Sequence, residues 1–256
     1  VSLSGKSQQM AHFSQYLLND FFLNPAVAGT KDYSPIRLTV RTQWAGFDDA
    51  PKTQTLSFHS NAIQNMGFGG VIINDKTGPL GQTGLELAYA YHLEVSKSTK
   101  LSLGLSAKAV QYALDESKIT LEESNDFTFS GTTSKTLVPD AGFGTYLYSG
   151  KYFVGLSIPQ LFQTKVKYDA QDEKLNKEVR HYYLSGGYNF EINKEFIVTP
   201  SMLVKTVFAA PTQFDVNIKG TYKDIVSLGA SYRLKDAVVI MVGLEKEKFT
   251  VGYAYD

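Results

Sequence analysis

Four histidines, His12, His59, His92 and His181, are the residues of this 256-residue chain best suited to acid–base or metal chemistry, and they stand singly. No two lie at the helical i, i+4 spacing of a paired metal site, and there is no cysteine to complete a thiolate site or a disulfide. Serines and aspartates are plentiful, yet no Gly-x-Ser-x-Gly elbow presents a nucleophile. Gly67-Phe68-Gly69 lacks the following helix and acidic partner that a dinucleotide site requires. A phospholipase-like site could still converge from separate strands, but no stretch points to one. The expectation is a non-enzymatic protein with no cofactor and no bound metal.

Charge narrows the partners. Lys plus Arg total 25 and Asp plus Glu total 25, a balance that gives no electrostatic reason to expect nucleic acid. The chain has 16 Tyr, 16 Phe and 21 Gly but one Trp, and no run approaches the roughly 20 apolar residues of a membrane-spanning helix. If it meets a membrane, it does so with strands.

The elements that would position any site are strands of period two. Ile36, Leu38, Val40 and Trp44 alternate with Arg37, Thr39, Arg41 and Gln43; Leu85, Leu87, Tyr89, Tyr91 and Leu93 alternate with Glu86, Ala88, Ala90 and His92. Leu101, Leu103 and Leu105 oppose Ser102, Gly104 and Ser106, and Val226, Leu228 and Tyr232 oppose Ser227, Gly229 and Arg233. In a strand such alternation places every apolar side chain on one face. Thirteen strands are predicted, near 36–44, 53–59, 66–74, 83–94, 99–112, 138–148, 151–158, 179–191, 195–206, 212–222, 225–234, 237–245 and 248–256. Tight turns at 96–98, 149–150, 193–194 and 223–224 fall on one side of such a meander, and the long polar loops 113–137 and 159–178 on the other. This is the layout of an antiparallel transmembrane β-barrel with an apolar outer face and a polar interior. Trp44, Tyr148, Tyr152, Tyr222 and Tyr255 fall at strand ends, where a lipid headgroup belt would place them. A soluble lipocalin-like barrel or β-sandwich is the alternative. An antiparallel barrel closes on an even number of strands, so thirteen implies a miscount by one or a last strand beyond Asp256.

The barrel is assigned to 36–256 and an N-terminal segment to 1–35. VSLSGKS reads as the remnant of a cleaved secretory signal or as a mature end. Phe13, Tyr16, Leu17 and Phe21 have helix-like spacing, which Asn24-Pro25 interrupts. The stretch from Asn24 to Gly29 is either a small-residue turn leading into the first strand or a plug folded into the lumen. Gly69-Gly70 inside a strand marks a bend or a close backbone approach.

Several stretches together resemble the PorP/SprF family of type IX secretion system outer-membrane proteins. They are FSQYLLNDFFLNPAVAGT, Arg41 to Phe47, Ala50-Pro51-Lys52-Thr53, His59, Gly67 to Gly70 and Asn74 to Pro79, with weaker similarity through LSLGLSA and GYAYD. The resemblance implies a fourteen-stranded barrel in the outer membrane of Bacteroidota, of which thirteen strands are counted here. It also implies a role in surface protein secretion or gliding motility, with an adhesin-like cargo engaged through its C-terminal domain. Outer-membrane lipid is the other partner, with periplasmic or peptidoglycan-associated components of the machinery as a further possibility. The expected partner contacts are Asn24 and Pro25 in the N-terminal segment and Trp44, Phe47, Pro51, Asp75 and Pro79 in the motif-bearing loops. Glu122 and Glu123 in the first long loop, and Lys165 and Lys167 in the second, complete the set. A passive diffusion channel and an attachment point for periplasmic components are the alternative functions.

Overall fold

The structure, a computed structural model, describes residues 19–44, 46, 47, 49–118, 133–164, 179–208 and 210–255. Two single 3-10 turns, Asp20–Phe22 and Pro25–Val27, come first, and strands follow. They are β1 (Ile36–Thr42), β2 (Lys52–Ile63), β3 (Met66–Thr77), β4 (Leu80–Ser96), β5 (Thr99–Asp115), β6 (Thr133–Ser149) and β7 (Tyr152–Ile158). The second half holds β8 (His181–Tyr188), β9 (Phe190–Asn193), β10 (Phe196–Val207), β11 (Ala210–Tyr222), β12 (Val226–Arg233), β13 (Ala237–Lys246) and β14 (Phe249–Tyr255). All belong to one sheet in which each strand pairs antiparallel with the next in sequence, except that β8 and β9 both pair with β10.

β8 and β9 are two parts of one strand, since both pair with β10. The interruption has a local cause at Asn189. Its backbone N–H donates to the Lys151 carbonyl at 2.7 Å and its Nδ2 to the Gly150 carbonyl at 3.0 Å, while Oδ1 accepts from Thr199 Oγ1 at 2.9 Å. Asn189 thus leaves the ladder to bind the neighbouring turn. Counted as ladder positions, the strands match the thirteen that alternation predicts. Because every neighbour reverses direction, β1 and β14 run the same way, and among the described residues they do not pair with each other.

Registry keeps the two faces apart. Leu38 lies opposite Leu56, Leu56 opposite Ile72 and Ile72 opposite Leu85, so one apolar row crosses four strands on the outer face. These side chains are exposed, as are Leu87, Leu105, Ile218, Leu228, Ile240 and Val251 farther round. A continuous apolar belt of that extent suits a lipid-facing wall and not a water-facing one. The inner face carries Thr53, Thr55, Ser57, His59, Ser102, Ser157, Asp215, Asn217 and Ser231, all buried. No helix among the described residues is long and apolar enough to cross a membrane.

One aromatic departs from the expected belt. Tyr148 turns inward, where its hydroxyl meets His92 Nδ1 at 3.1 Å and its ring lies 5.6 Å from that of Tyr146. Its even number puts it on the face shared by Asp140, Gly142, Gly144 and Tyr146, and strand parity prevails over its position near a strand end. Trp44, Tyr222 and Tyr255 are exposed as the belt requires.

Candidate functional site

Residues 19–29 fold into the lumen. Asn19, Phe21 and Asn24 are buried, and Ala26, Val27 and Ala28 are fully so. Of the helix-like stretch from His12 to Phe22, residues 12–18 lie outside the described residues, and its end forms the first 3-10 turn, Asp20–Phe22. Asn24 shapes the second: its Oδ1 accepts from the Ala26 N–H at 2.9 Å, and Pro25 follows with its φ already suited to a helical start.

The same asparagine anchors the segment to the wall. Its Nδ2 donates to the carbonyls of Thr145 on β6 at 3.0 Å and Leu156 on β7 at 3.4 Å. Ser157 Oγ donates to the Leu23 carbonyl at 2.6 Å, and Asn19 Nδ2 donates to Ser57 Oγ at 2.9 Å. Two histidines hold the far end. His92 Nε2 lies 3.0 Å from the Ala28 carbonyl, so Nε2 carries the proton and donates, leaving Nδ1 to accept from the Tyr148 hydroxyl. His59 Nδ1 accepts from the Gly29 N–H at 3.2 Å, and its ring packs 5.0 Å from that of Phe21. Leu23 packs against Tyr183 and Leu203, which carries the contact to β8 and β10, while Asp20 lies 3.9 Å from Arg37 of β1. A segment this short touches the wall from β1 round to β10 only because the sheet curls about it.

The wall is shaped to receive the segment. A Cβ at Gly67 would run into the Ala28 carbonyl, one at Gly104 into the Ala26 backbone, and one at Gly144 into the Asn24 side chain. Gly69 accommodates the Phe21 ring, which supplies the close approach expected of the Gly69-Gly70 pair. Of the two readings open for Asn24 to Gly29, the luminal one describes the structure. Sequence inspection missed the roles of His59, His92, Gly104 and Gly144. Each is a small or polar residue on the inward parity, and that alternation is the one signal that could have grouped them.

The five loop candidates of the first third meet at the rim that carries the long loops. Residues 43–51 connect β1 to β2 and residues 78–79 connect β3 to β4. Gln43 N–H donates to the Pro51 carbonyl at 3.0 Å, Phe47 N–H to the Trp44 carbonyl at 3.1 Å and Gly78 N–H to the Asp49 carbonyl at 3.1 Å. Thr53 Oγ1 donates to Asp75 Oδ1 across β2 and β3, and the Pro79 carbonyl accepts from the Asp115 N–H at 2.9 Å. Trp44 sits in the left-handed region with φ of 49°, uncommon for a bulky residue, which marks a tightly specified turn. Trp44 and Phe47 are 69% and 76% exposed, so this rim patch displays aromatic side chains to its surroundings. Asn24 and Pro25 lie apart from it, buried in the lumen. Glu122, Glu123, Lys165 and Lys167 lie outside the described residues.

A buried ion-pair network braces β10 to β12 near the same rim. Lys205 Nζ lies 3.0 Å from Asp215 Oδ2, Arg233 Nε lies 3.5 Å from Asp215 Oδ1, and Arg233 Nη1 lies 3.0 Å from Asp236 Oδ2. Among the described residues no three His, Asp or Glu side chains group as metal ligands would. A lumen holding its own N-terminal segment, inside an antiparallel wall with an apolar exterior, is the architecture of a membrane component. A family model described as type IX secretion system membrane protein PorP/SprF matches residues 5–256.

The chain belongs to the PorP/SprF family. The match spans nearly the whole chain, including the weakly patterned second half, and identifies a membrane component of the type IX secretion system. No curated protein matches the chain. In this PorP/SprF protein the residues that carried the resemblance serve two structures. NPAVAG, His59 and Gly67 to Gly70 build the luminal segment and its seat, and Arg41 to Thr53 with Asn74 to Pro79 build the rim patch.

Proposed function

We propose that this PorP/SprF protein is a non-enzymatic barrel of the outer membrane that binds a secreted surface protein, through that protein's C-terminal domain, and retains it at the cell surface. The long-loop rim faces outward in this reading, and the cargo is adhesin-like. The observation that carries it is the occupied lumen. Its N-terminal segment is seated against backbone by neutral hydrogen bonds and by glycines with no room for a side chain, an arrangement suited to a stationary insert. A diffusion pore gains nothing from such an insert. With the segment seated in the lumen, the surface offered for recognition is the rim, where Trp44, Phe47, Pro51, Asp75 and Pro79 lie on a scaffold of paired strands. The loops containing Glu122, Glu123, Lys165 and Lys167 extend that surface in this reading.

The test is affinity purification from the native membrane in mild detergent, with mass spectrometry of what stays bound and bilayer conductance of the same sample. Retention predicts a secreted protein in near-equal amount and a silent bilayer. It also predicts that deleting 113–137 reduces the bound cargo while the barrel stays folded. Steady conductance with no protein recovered would overturn the reading in favour of a channel. Cross-links confined to the short-turn rim would overturn it in favour of an attachment point for periplasmic components.

A further inference from the structure

Between the luminal segment and the long-loop rim lies a chamber. Phe22 of the N-terminal segment borders it, and Val71, Ile73 and Val110 contribute apolar wall. Its charged wall is one cross-strand row: Glu86 on β4 lies opposite Lys108 on β5, and Lys108 lies opposite Asp140 on β6. All three side chains line the chamber.

The charges do not balance within that row. Glu86 Oε2 and Lys108 Nζ pair at 2.9 Å, which accounts for one carboxylate and the one ammonium. Asp140 is 6% exposed, and its Oδ1 takes the backbone N–H groups of Ala141, Leu161 and Phe162 at 2.7, 3.1 and 2.9 Å. Its Oδ2 is buried with no hydrogen-bond partner among the described residues. Arg180 is directed at the carbonyls of Gln160 and Leu161. A buried carboxylate oxygen without a donor is costly, and a cation that supplies one recovers that cost.

We infer that this chamber binds an organic cation, a primary ammonium or guanidinium group on a short aliphatic stem. The stem lies against Phe22, Val71, Ile73 and Val110, and the head supplies donors to Glu86 and Asp140. A basic side chain of a peptide and a free alkylamine share this chemistry. The site stands on the chamber's own charges and does not depend on cargo retention.

The test is a titration of the full-length barrel in detergent micelles with n-butylammonium and n-butylguanidinium, followed by NMR or calorimetry. The neutral isostere n-butanol and the anion butyrate serve as controls. The cations bind, with affinity reduced tenfold or more by Glu86→Gln and by Asp140→Asn, and increased by Lys108→Met, which removes the competing ammonium. Because Asp140→Asn also touches a loop anchor, Glu86→Gln and Lys108→Met decide the question if that variant misfolds. Equal binding of butanol and butylammonium, or an affinity unchanged in both Glu86→Gln and Lys108→Met, overturns the inference. Nα-acetyl-lysine methylamide separates the sources: binding at least as tight as butylammonium assigns a peptide side chain, and weaker binding assigns a free amine.

Discussion

Asn24 satisfies its own turn with one end of its amide and two wall carbonyls with the other, so a single side chain links local structure to tertiary seating. Asn24→Ala removes the cap and frees both carbonyls, and is expected to cost about 1–3 kcal/mol, read as a lower thermal midpoint in micelles. Gly67 makes the complementary prediction from the wall side. Gly67→Val forces a side chain against the Ala28 carbonyl and is expected to cost about 1–3 kcal/mol by overpacking. Gly150→Val, at a turn with open space around it, leaves the midpoint unchanged. Asp215 tests the opposite kind of contact. Asp215→Ala removes the buried carboxylate that lies between Lys205 and Arg233, at an expected cost of about 3–5 kcal/mol. At this scale the sequence was legible in part. NPAVAG stood out as a turn or a plug because Pro and Gly restrict backbone locally. The pairing of Asn24 with Gly144, 120 positions away, depends on curvature of the sheet, which no local pattern encodes.

Strands were the most legible element, because a two-residue period is written into each one and needs no partner to be read. Leu85 to Leu93 illustrates why: outward apolar and inward small or polar residues alternate without a slip. The break between β8 and β9 was hidden because Asn189 leaves the ladder through a turn made by other strands. Tyr148 was misassigned for a related reason, since position along a strand suggested a headgroup ring while parity sent it inward. The lipid-facing assignment of the outer rows has a direct test. Leu87→Arg, midway along β4, is expected to cost about 2–4 kcal/mol of stability in lipid vesicles, while Leu93→Arg nearer the short-turn rim costs about 0–1 kcal/mol. Equal costs for the two would remove the depth gradient that a spanning strand requires.

For the whole molecule, the sheet and its contents form one unit in which the N-terminal segment packs on the inner face against Tyr146, Tyr148, Phe153, Tyr183 and Leu203. Deleting residues 19–30 therefore removes contacts from β1 to β10 at once and is expected both to lower the thermal midpoint and to introduce conductance absent from the intact barrel. A deletion that leaves both unchanged would mean that the segment closes nothing. Thirteen ladder positions also leave β1 and β14 running in the same direction, a relation that the count of alternating stretches made readable from the sequence. The segment precedes β1 in the chain, and Gly67 and Gly69 on β3, Gly104 on β5 and Gly144 on β6 leave no room for a side chain between wall and segment. Insert and seat are thus cut to one another, like a key and its lock, and a change in either is expected to be felt by both.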